Sequence, residues 1–278
     1  MSTFRFKERS VLPGFGLSLG YALFYLSILV LIPLSTLFWK AGSEGWPHFV
    51  SAAFSPQAVA SYKLTFGAAL LAATVNMFAG LLVAWVLVRY SFWGKSLVDA
   101  LVDMPFALPT AVGGIALATV YGPNGWIGAH LAKLGVNVIQ TPIGIVIALI
   151  FISLPFVVRT VQPVLQELDA QLEEAASSLG ASRWMTFRRV LFPYIWPALL
   201  TGTTLAFARA IGEYGSVIFI TSNIPFRTQI TPQLIYTRLD EYDYAGATAI
   251  AVVMLVVSFA LLLGINALQA WSRKRMRG

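Results

Sequence analysis

Two ionisable residues stand where charge is costly. Arg209 and Glu213 are four residues apart and follow an otherwise uncharged run from Val190 to Ala208. At that spacing they share one face of a helix, so an ion pair within the helix is expected. A charge at mid-membrane is unfavourable by about 2.5–3.5 kcal/mol on insertion scales, and such residues face a bundle interior or an aqueous path. Arg209 is the one base inside a predicted span, and a guanidinium matches an oxyanion through paired donors. Two readings follow from the residues. In one, Arg209 touches or steers a passing oxyanion while Glu213 tempers the charge so that the ion can leave. In the other, the pair only holds spans together.

Other chemistry is thinly supplied. The chain has two histidines and no cysteine, which excludes disulfides and thiolate metal sites. His48 and His130 have no carboxylate cluster beside them, so a metal site is not expected. The segment from Arg89 to Ser96 ends in Gly94-Lys95-Ser96, but Arg89 stands where a phosphate loop needs its first glycine, and Phe92 and Trp93 fill the turn. It reads as a short hairpin. A membrane enzyme would need a nucleophile with a base, or metal ligands, and with two histidines and no cysteine the material for either is thin.

The elements that must hold the Arg209–Glu213 pair are read from the apolar runs. The sequence is 58% hydrophobic and 11% charged, far from the roughly one-quarter charged of a soluble domain. No charge occurs from Ser10 to Trp39, Leu64 to Val88, Met104 to Leu131, Leu134 to Val158, Val190 to Ala208, or Tyr244 to Ser272. Crossing about 30 Å of hydrocarbon takes roughly 20 helical residues, and helices satisfy their own backbone there. The expected fold class is an all-α membrane protein with six transmembrane helices. The first run is too long for a signal sequence and lacks a small-residue cleavage site, so it reads as a retained anchor. Trp39, Trp93, Trp196 and Trp271 fall near predicted span ends, as interfacial rings do.

Charge sets the expected orientation. Arg5, Lys7, Arg9, Arg89, Lys95, Arg159, Arg183, Arg188, Arg189, Arg273, Lys274, Arg275 and Arg277 fall on one side. Only Lys40, Lys63, Lys133, Arg227 and Arg238 fall on the other. Positive charge favours the cytoplasm, so both termini are expected inside. The net charge of +7 has that origin, and no nucleic-acid partner is implied.

The fourth connection, about 159–193, is predicted to hold two short helices. The first spans 166–179, with Leu165, Leu168, Leu172, Ala175, Ala176 and Leu179 on one stripe and Glu167, Asp169, Glu173 and Glu174 around it. Gly180 supplies the turn. The second spans 182–191, and Pro193 introduces the next span. Glu174-Ala175-Ala176, Gly180 and Val190-Leu191-Phe192-Pro193 together resemble the EAA loop of ABC importer permeases, with Val190 and Phe192 at the family's Ile and Leu places. That resemblance implies a coupling helix docking on a separate ATPase, carried by Glu173, Glu174, Ala175, Ala176, Leu179 and Gly180. In this role the small alanines permit close approach, and Glu174 is available to a base across the interface.

Further segments narrow the resemblance. They are Val11-Leu12-Pro13-Gly14-Phe15, the stretches 103–112 and 155–164, and Ala208 to Gly215. Together they are similar to sulfate/thiosulfate permease subunits of the CysT type over nearly the whole chain. The Gly212-Glu213-Tyr214-Gly215 element alone is shared with sister subunits and molybdate permeases. The resemblance implies a type I ABC importer permease fold and an assembly of this chain with a CysW-type sister permease. Two copies of a CysA-type cytoplasmic ATPase and a periplasmic sulfate- or thiosulfate-binding protein complete it. No cofactor is expected on this chain, since ATP and Mg belong to the partner ATPase. The expected division is 1–60 (tail, first span and periplasmic loop), 61–268 (permease core) and 269–278 (basic cytoplasmic tail).

Pro105, Pro109, Gly113 and Gly114 in the third span, Pro155 and Pro163 in the fourth, and Gly212 and Gly215 in the fifth mark breaks or kinks. Broken helices point to transport paths but also occur as ordinary kinks. Pro109 and Gly113 join Arg209 and Glu213 as candidate pathway residues. Gly16 and Gly20 carry the spacing of a helix-contact motif. A gradient-driven transporter would favour paired carboxylates inside spans. Glu213 is the lone mid-span acid, because Asp99 and Asp103 fall at a span entrance.

Overall fold

The computed structural model describes residues 14–276, with side chains described to residue 267. The expectations placed on Arg5, Lys7, Arg9, on residues 11–13 and on Arg277 lie outside the described residues. So do those resting on the side chains of Trp271 and of Arg273, Lys274 and Arg275. Every element among the described residues is helical. Five helices are long and apolar enough to cross a membrane, and a sixth crossing exists if one bent pair counts as one span.

The first crossing is α1, Phe15–Ala41, with a wide π turn at Ser27–Leu31 just before Pro33. Short α2, Trp46–Ala53, leads to α3, Pro56–Arg89, which Ser55 caps by accepting the Ala58 amide. After a tight turn at Gly94 come α4, Lys95–Ala107, and α5, Thr110–Tyr121, bent by 117° to each other. Then follow α6, Gly128–Lys133, α7, Pro142–Gln166, and α8, Ala170–Ser178. The chain continues with α9, Arg183–Ile211, α10, Gly215–Ile220, α11, Thr231–Asp240, and α12, Tyr244–Met276.

The centre is a three-helix stack of α3, α7 and α9. Lipid tails are as apolar as leucine, so such helices associate through close packing and interhelical hydrogen bonds. α3 supplies the close packing: Ala68, Ala69, Ala72 and Ala73 are buried against Ile145, Ala148 and Leu149 of α7 and Phe207 of α9. Val157 of α7 is clasped from two sides. A Cβ on Gly80 of α3 would lie 2.8 Å from the Val157 Cβ, and one on Gly202 of α9 would lie 2.9 Å from its Cα. Asn76 supplies the polar contact, its amide donating to the Ile150 carbonyl at 3.0 Å and to the Ser153 hydroxyl at 2.9 Å. α1 lies at the edge and packs on α12, with none of its most apolar window buried. Nothing lies within 4 Å of a Cβ built on Gly16 or Gly20, so the predicted motif meets no neighbour among the described residues.

The break expected in the third span is present at Pro109, where α4 and α5 meet at 117°, while several other sequence expectations are corrected. Leu108 precedes proline, which disfavours helical backbone, and it is extended at φ −86°, ψ 136°. The loop helix predicted over 166–179 is divided, because α7 runs on through Gln166 and Asp169 caps a new helix by accepting the Gln171 amide at 2.9 Å. Its predicted stripe divides as well: Leu165 and Leu168 are buried, whereas Leu172 and Leu179 are exposed. The second loop helix is not separate from the fifth span. A π turn at Phe187–Leu191 absorbs Pro193, and one helix runs from Arg183 to Ile211. Gly212 and Gly215 therefore lie beyond the fifth span, and so does Glu213. Arg159, assigned to the connection by its charge, sits inside α7.

Candidate coupling and translocation sites

The α8 segment presents its sequence-predicted residues at one end of the bundle. Gly180 has φ +80°. The Ala181 amide reaches the Ala176 carbonyl at 3.0 Å and the Gly180 amide reaches the Ser177 carbonyl at 2.9 Å, the paired bonds of a left-handed helix stop. That stop turns the chain into α9 and leaves Leu179 88% exposed. Two adjacent acids then divide. Glu173 turns inward and pairs with Arg89 at the end of α3, 2.6 Å away, and the Arg89 guanidinium lies over the Trp85 ring at 5.3 Å. Glu174 is exposed and forms no ion pair among the described residues. Ala175 is exposed and Ala176 half-buried. Between α8 and α9 opens a cleft of about 430 Å³ lined by Trp85, Glu173, Glu174, Arg183 and Phe187 among others.

The second site lies where α9 ends. Arg209 occupies its last turn, and its Nη1 lies 2.6 Å from Glu213 Oε2, although Glu213 itself is past the helix. Glu213 is 2% exposed. Its other oxygen, Oε1, accepts the Ser216 amide at 2.9 Å and the Ser216 hydroxyl at 3.0 Å. A buried carboxylate with a cation and two donors is compensated on both oxygens. Arg209 differs: a third of its side chain is exposed, and Glu213 is its one ion-pair partner among the described residues.

Pro109 and Gly113 reach this site through the helix pair α5 and α10. Pro109 forms the N-terminal boundary of α5. One turn on, Gly114 approaches the Ser216 backbone so closely that any Cβ would overlap it, and Gly215 meets the Thr110 side chain in the same way. Gly113 is buried, with a Cβ position 3.1 Å from the Phe151 ring. Of the residues predicted for a pathway, Arg209 and Glu213 are in contact, whereas Pro109 and Gly113 adjoin them only through their neighbours Thr110 and Gly114, which meet Gly215 and Ser216.

Sequence reasoning missed a third cluster. Asp99 and Asp103, expected at a span entrance, both bind Arg159. Their i, i+4 spacing on α4 was visible, but their partner lies about sixty positions away. No group of three metal-ligating side chains occurs among the described residues.

Known proteins resemble the chain throughout. The family described as binding-protein-dependent transport system inner membrane component matches residues 76–278. The sulfate transport system permease protein CysT of Escherichia coli (strain K12) is 48% identical over 275 residues, covering 99% of each chain. The protein of the same name from Synechocystis sp. is 51% identical, covering 90% of this chain and 87% of that one. Among solved structures, a bacterial alginate ABC transporter in complex with an alginate pentasaccharide-bound periplasmic protein has a chain of the same fold. Its TM-score is 0.75 at 21% identity, over 91% of this chain and 92% of that one. With α3, α7 and α9 packed as an apolar core and a family match over most of its length, this chain belongs to the binding-protein-dependent transport system inner membrane components, the multi-pass permeases of ABC importers.

Proposed function

We propose that this chain is the permease subunit of an ATP-driven importer of sulfate, and of thiosulfate, and that it performs no catalysis itself. The observation that carries the substrate is 48% identity, end to end, with a protein named as a sulfate permease. The oxyanion passes the bend between α4 and α5, and the donors of Arg209 not engaged by Glu213 meet it there. Glu213 holds the guanidinium in place and reduces its net pull, so that the ion moves on. Pro109 and Gly113 shape the passage by keeping α5 broken and close to α10.

Energy enters at α8. Glu174, Ala175, Ala176, Leu179 and Gly180 form the surface that docks on a CysA-type ATPase, which binds ATP and Mg, while Glu173 ties the segment to α3. The exposure of Leu179 and Glu174 and the left-handed stop at Gly180 support this reading. The excess of basic residues at the α8 end supports a cytoplasmic location for it and for both termini. The assembly consists of this chain, a CysW-type sister permease, two copies of the ATPase and a periplasmic binding protein, the last in keeping with the alginate transporter complex. Residues 61–268 form the working core, residues 1–60 an accessory span and periplasmic loop, and 269–278 a basic tail.

The test is deletion of the gene with uptake of sulfate, thiosulfate and molybdate measured side by side. Loss of sulfate and thiosulfate uptake with molybdate uptake kept is the expected result. Loss of molybdate uptake alone would redirect the assignment to another oxyanion.

A further inference from the structure

Arg159 of α7 uses every N–H of its guanidinium within this chain. Nε donates to Asp103 Oδ1 at 2.7 Å, and Nη2 donates to Asp103 Oδ2 at 2.6 Å and to the Asp99 carbonyl at 2.8 Å. Nη1 donates to Asp99 Oδ1 at 2.8 Å and to Gln162 Oε1 at 2.6 Å. Gln162 closes the ring by donating to Asp99 Oδ1 at 3.2 Å. A guanidinium has five donors in a fixed fork, so none remains for a ligand. Such a planar, two-sided clamp fixes orientation as well as distance.

What it fixes is α4. That helix buries a single residue, Val102, and packs on α7 alone among the helices it touches extensively. Its apolar contact with α7 includes Val102, buried with Val157, Val158 and Val161, and Phe106, edge-on to Phe156 at 5.1 Å, and the Arg159 clamp adds the directional polar connection beside them. α4 is the first arm of the broken span, joined at Leu108-Pro109 to the α5 arm that packs on Ser216. α7 ends at Gln166, and the α8 segment begins at Ala170. The clamp thus sits between the segment that receives force and the arm whose bend borders the passage.

We propose that Arg159, with Asp99, Asp103 and Gln162, is the positioning cluster that makes the broken span move with α7 when α8 moves. It is a link in the transport cycle, not a substrate contact, and it rests on the reading of α8 as the ATPase-docking segment. Arg159→Lys keeps the charge but cannot span both carboxylates with paired donors.

The experiment uses the complete complex in lipid vesicles with the binding protein present, measuring labelled sulfate taken up per ATP hydrolysed. Arg159→Lys and Asp103→Asn are expected to keep the ATPase bound and hydrolysing while uptake per ATP falls about tenfold. The exchange of Arg159→Asp with Asp103→Arg, made together with Asp99→Asn so that no second acid faces the new carboxylate, should recover part of the ratio. A wild-type ratio in both single variants would overturn the proposal. Failure of both variants to assemble would overturn it too, by assigning the cluster to folding. If the wild-type chain itself carries no ATPase, the docking reading fails instead, so the two failures are distinct.

Discussion

Arg159 and Arg209 are both guanidinium groups on apolar, span-length helices, and their surroundings differ. Arg159 meets two carboxylates, a backbone carbonyl and a side-chain amide, with every donor engaged. Arg209 meets one carboxylate through one nitrogen, although the two arginine side chains are about equally exposed, 29% and 33%. Burial of the acids is reversed: Asp103 opposite Arg159 has half its side chain exposed, whereas Glu213 opposite Arg209 is almost fully enclosed. A charge surrounded by acceptors holds two helices together. A charge held by one buried, otherwise satisfied acid is oriented, with donors remaining for an anion. The same residue type is thus a clamp in one place and, under the proposed function, an anion contact in the other.

The comparison breaks most readily at Glu213. Glu213→Ala removes the partner of Arg209 and leaves the buried Ser216 amide and hydroxyl without their acceptor, at about 1–3 kcal/mol for each unsatisfied group. A large fall in thermal midpoint and in yield of the detergent-solubilised complex is expected. Glu213→Gln should lose less, because an amide oxygen can still accept from Ser216. Equal stability of Glu213→Ala and wild type would show that the carboxylate orients nothing.

A smaller and more selective effect is expected at Arg209. Arg209→Lys keeps a cation beside Glu213 but loses the second donor edge, and one charge-assisted hydrogen bond of about 1.5–3 kcal/mol amounts to tenfold or more in rate. Sulfate uptake should fall by about that factor with little change in thermal midpoint, and ATP hydrolysis should fall in step. That last feature separates the two arginines, because Arg159→Lys is expected to let hydrolysis run ahead of uptake. If both variants lower uptake and hydrolysis together, the distinction between clamp and anion contact is lost.

Local signals in the sequence were the ones legible beforehand. The bend at Pro109 follows from the backbone restriction on the residue before proline, and the left-handed stop at Gly180 from the freedom of glycine. The Arg209–Glu213 pair followed from spacing alone, although Glu213 turned out to lie past the helix end. The Arg159 cluster is not legible in the sequence, because the uncharged run that marks the span stops at Val158. A charge does not end a helix when acids on a neighbouring helix neutralise it, and that neighbour is known only after folding. The same limit hid the Gly114–Ser216 approach and the Asn76 contact to Ile150 and Ser153, each of which joins residues far apart in the chain. The division of the loop stripe has a related cause: periodicity shows which residues share a face, but not whether that face meets this chain or a different one.

The proposed docking of α8 on a cytoplasmic ATPase is directly measurable, because the chain contains no cysteine. Leu179→Cys places one thiol at the tip of the segment, where the native side chain is 88% exposed. The expected result is a cross-link to the ATPase subunit and no reaction with a membrane-impermeant thiol reagent until the cells are opened. Labelling of that thiol in intact cells, with no cross-link formed, would contradict the account.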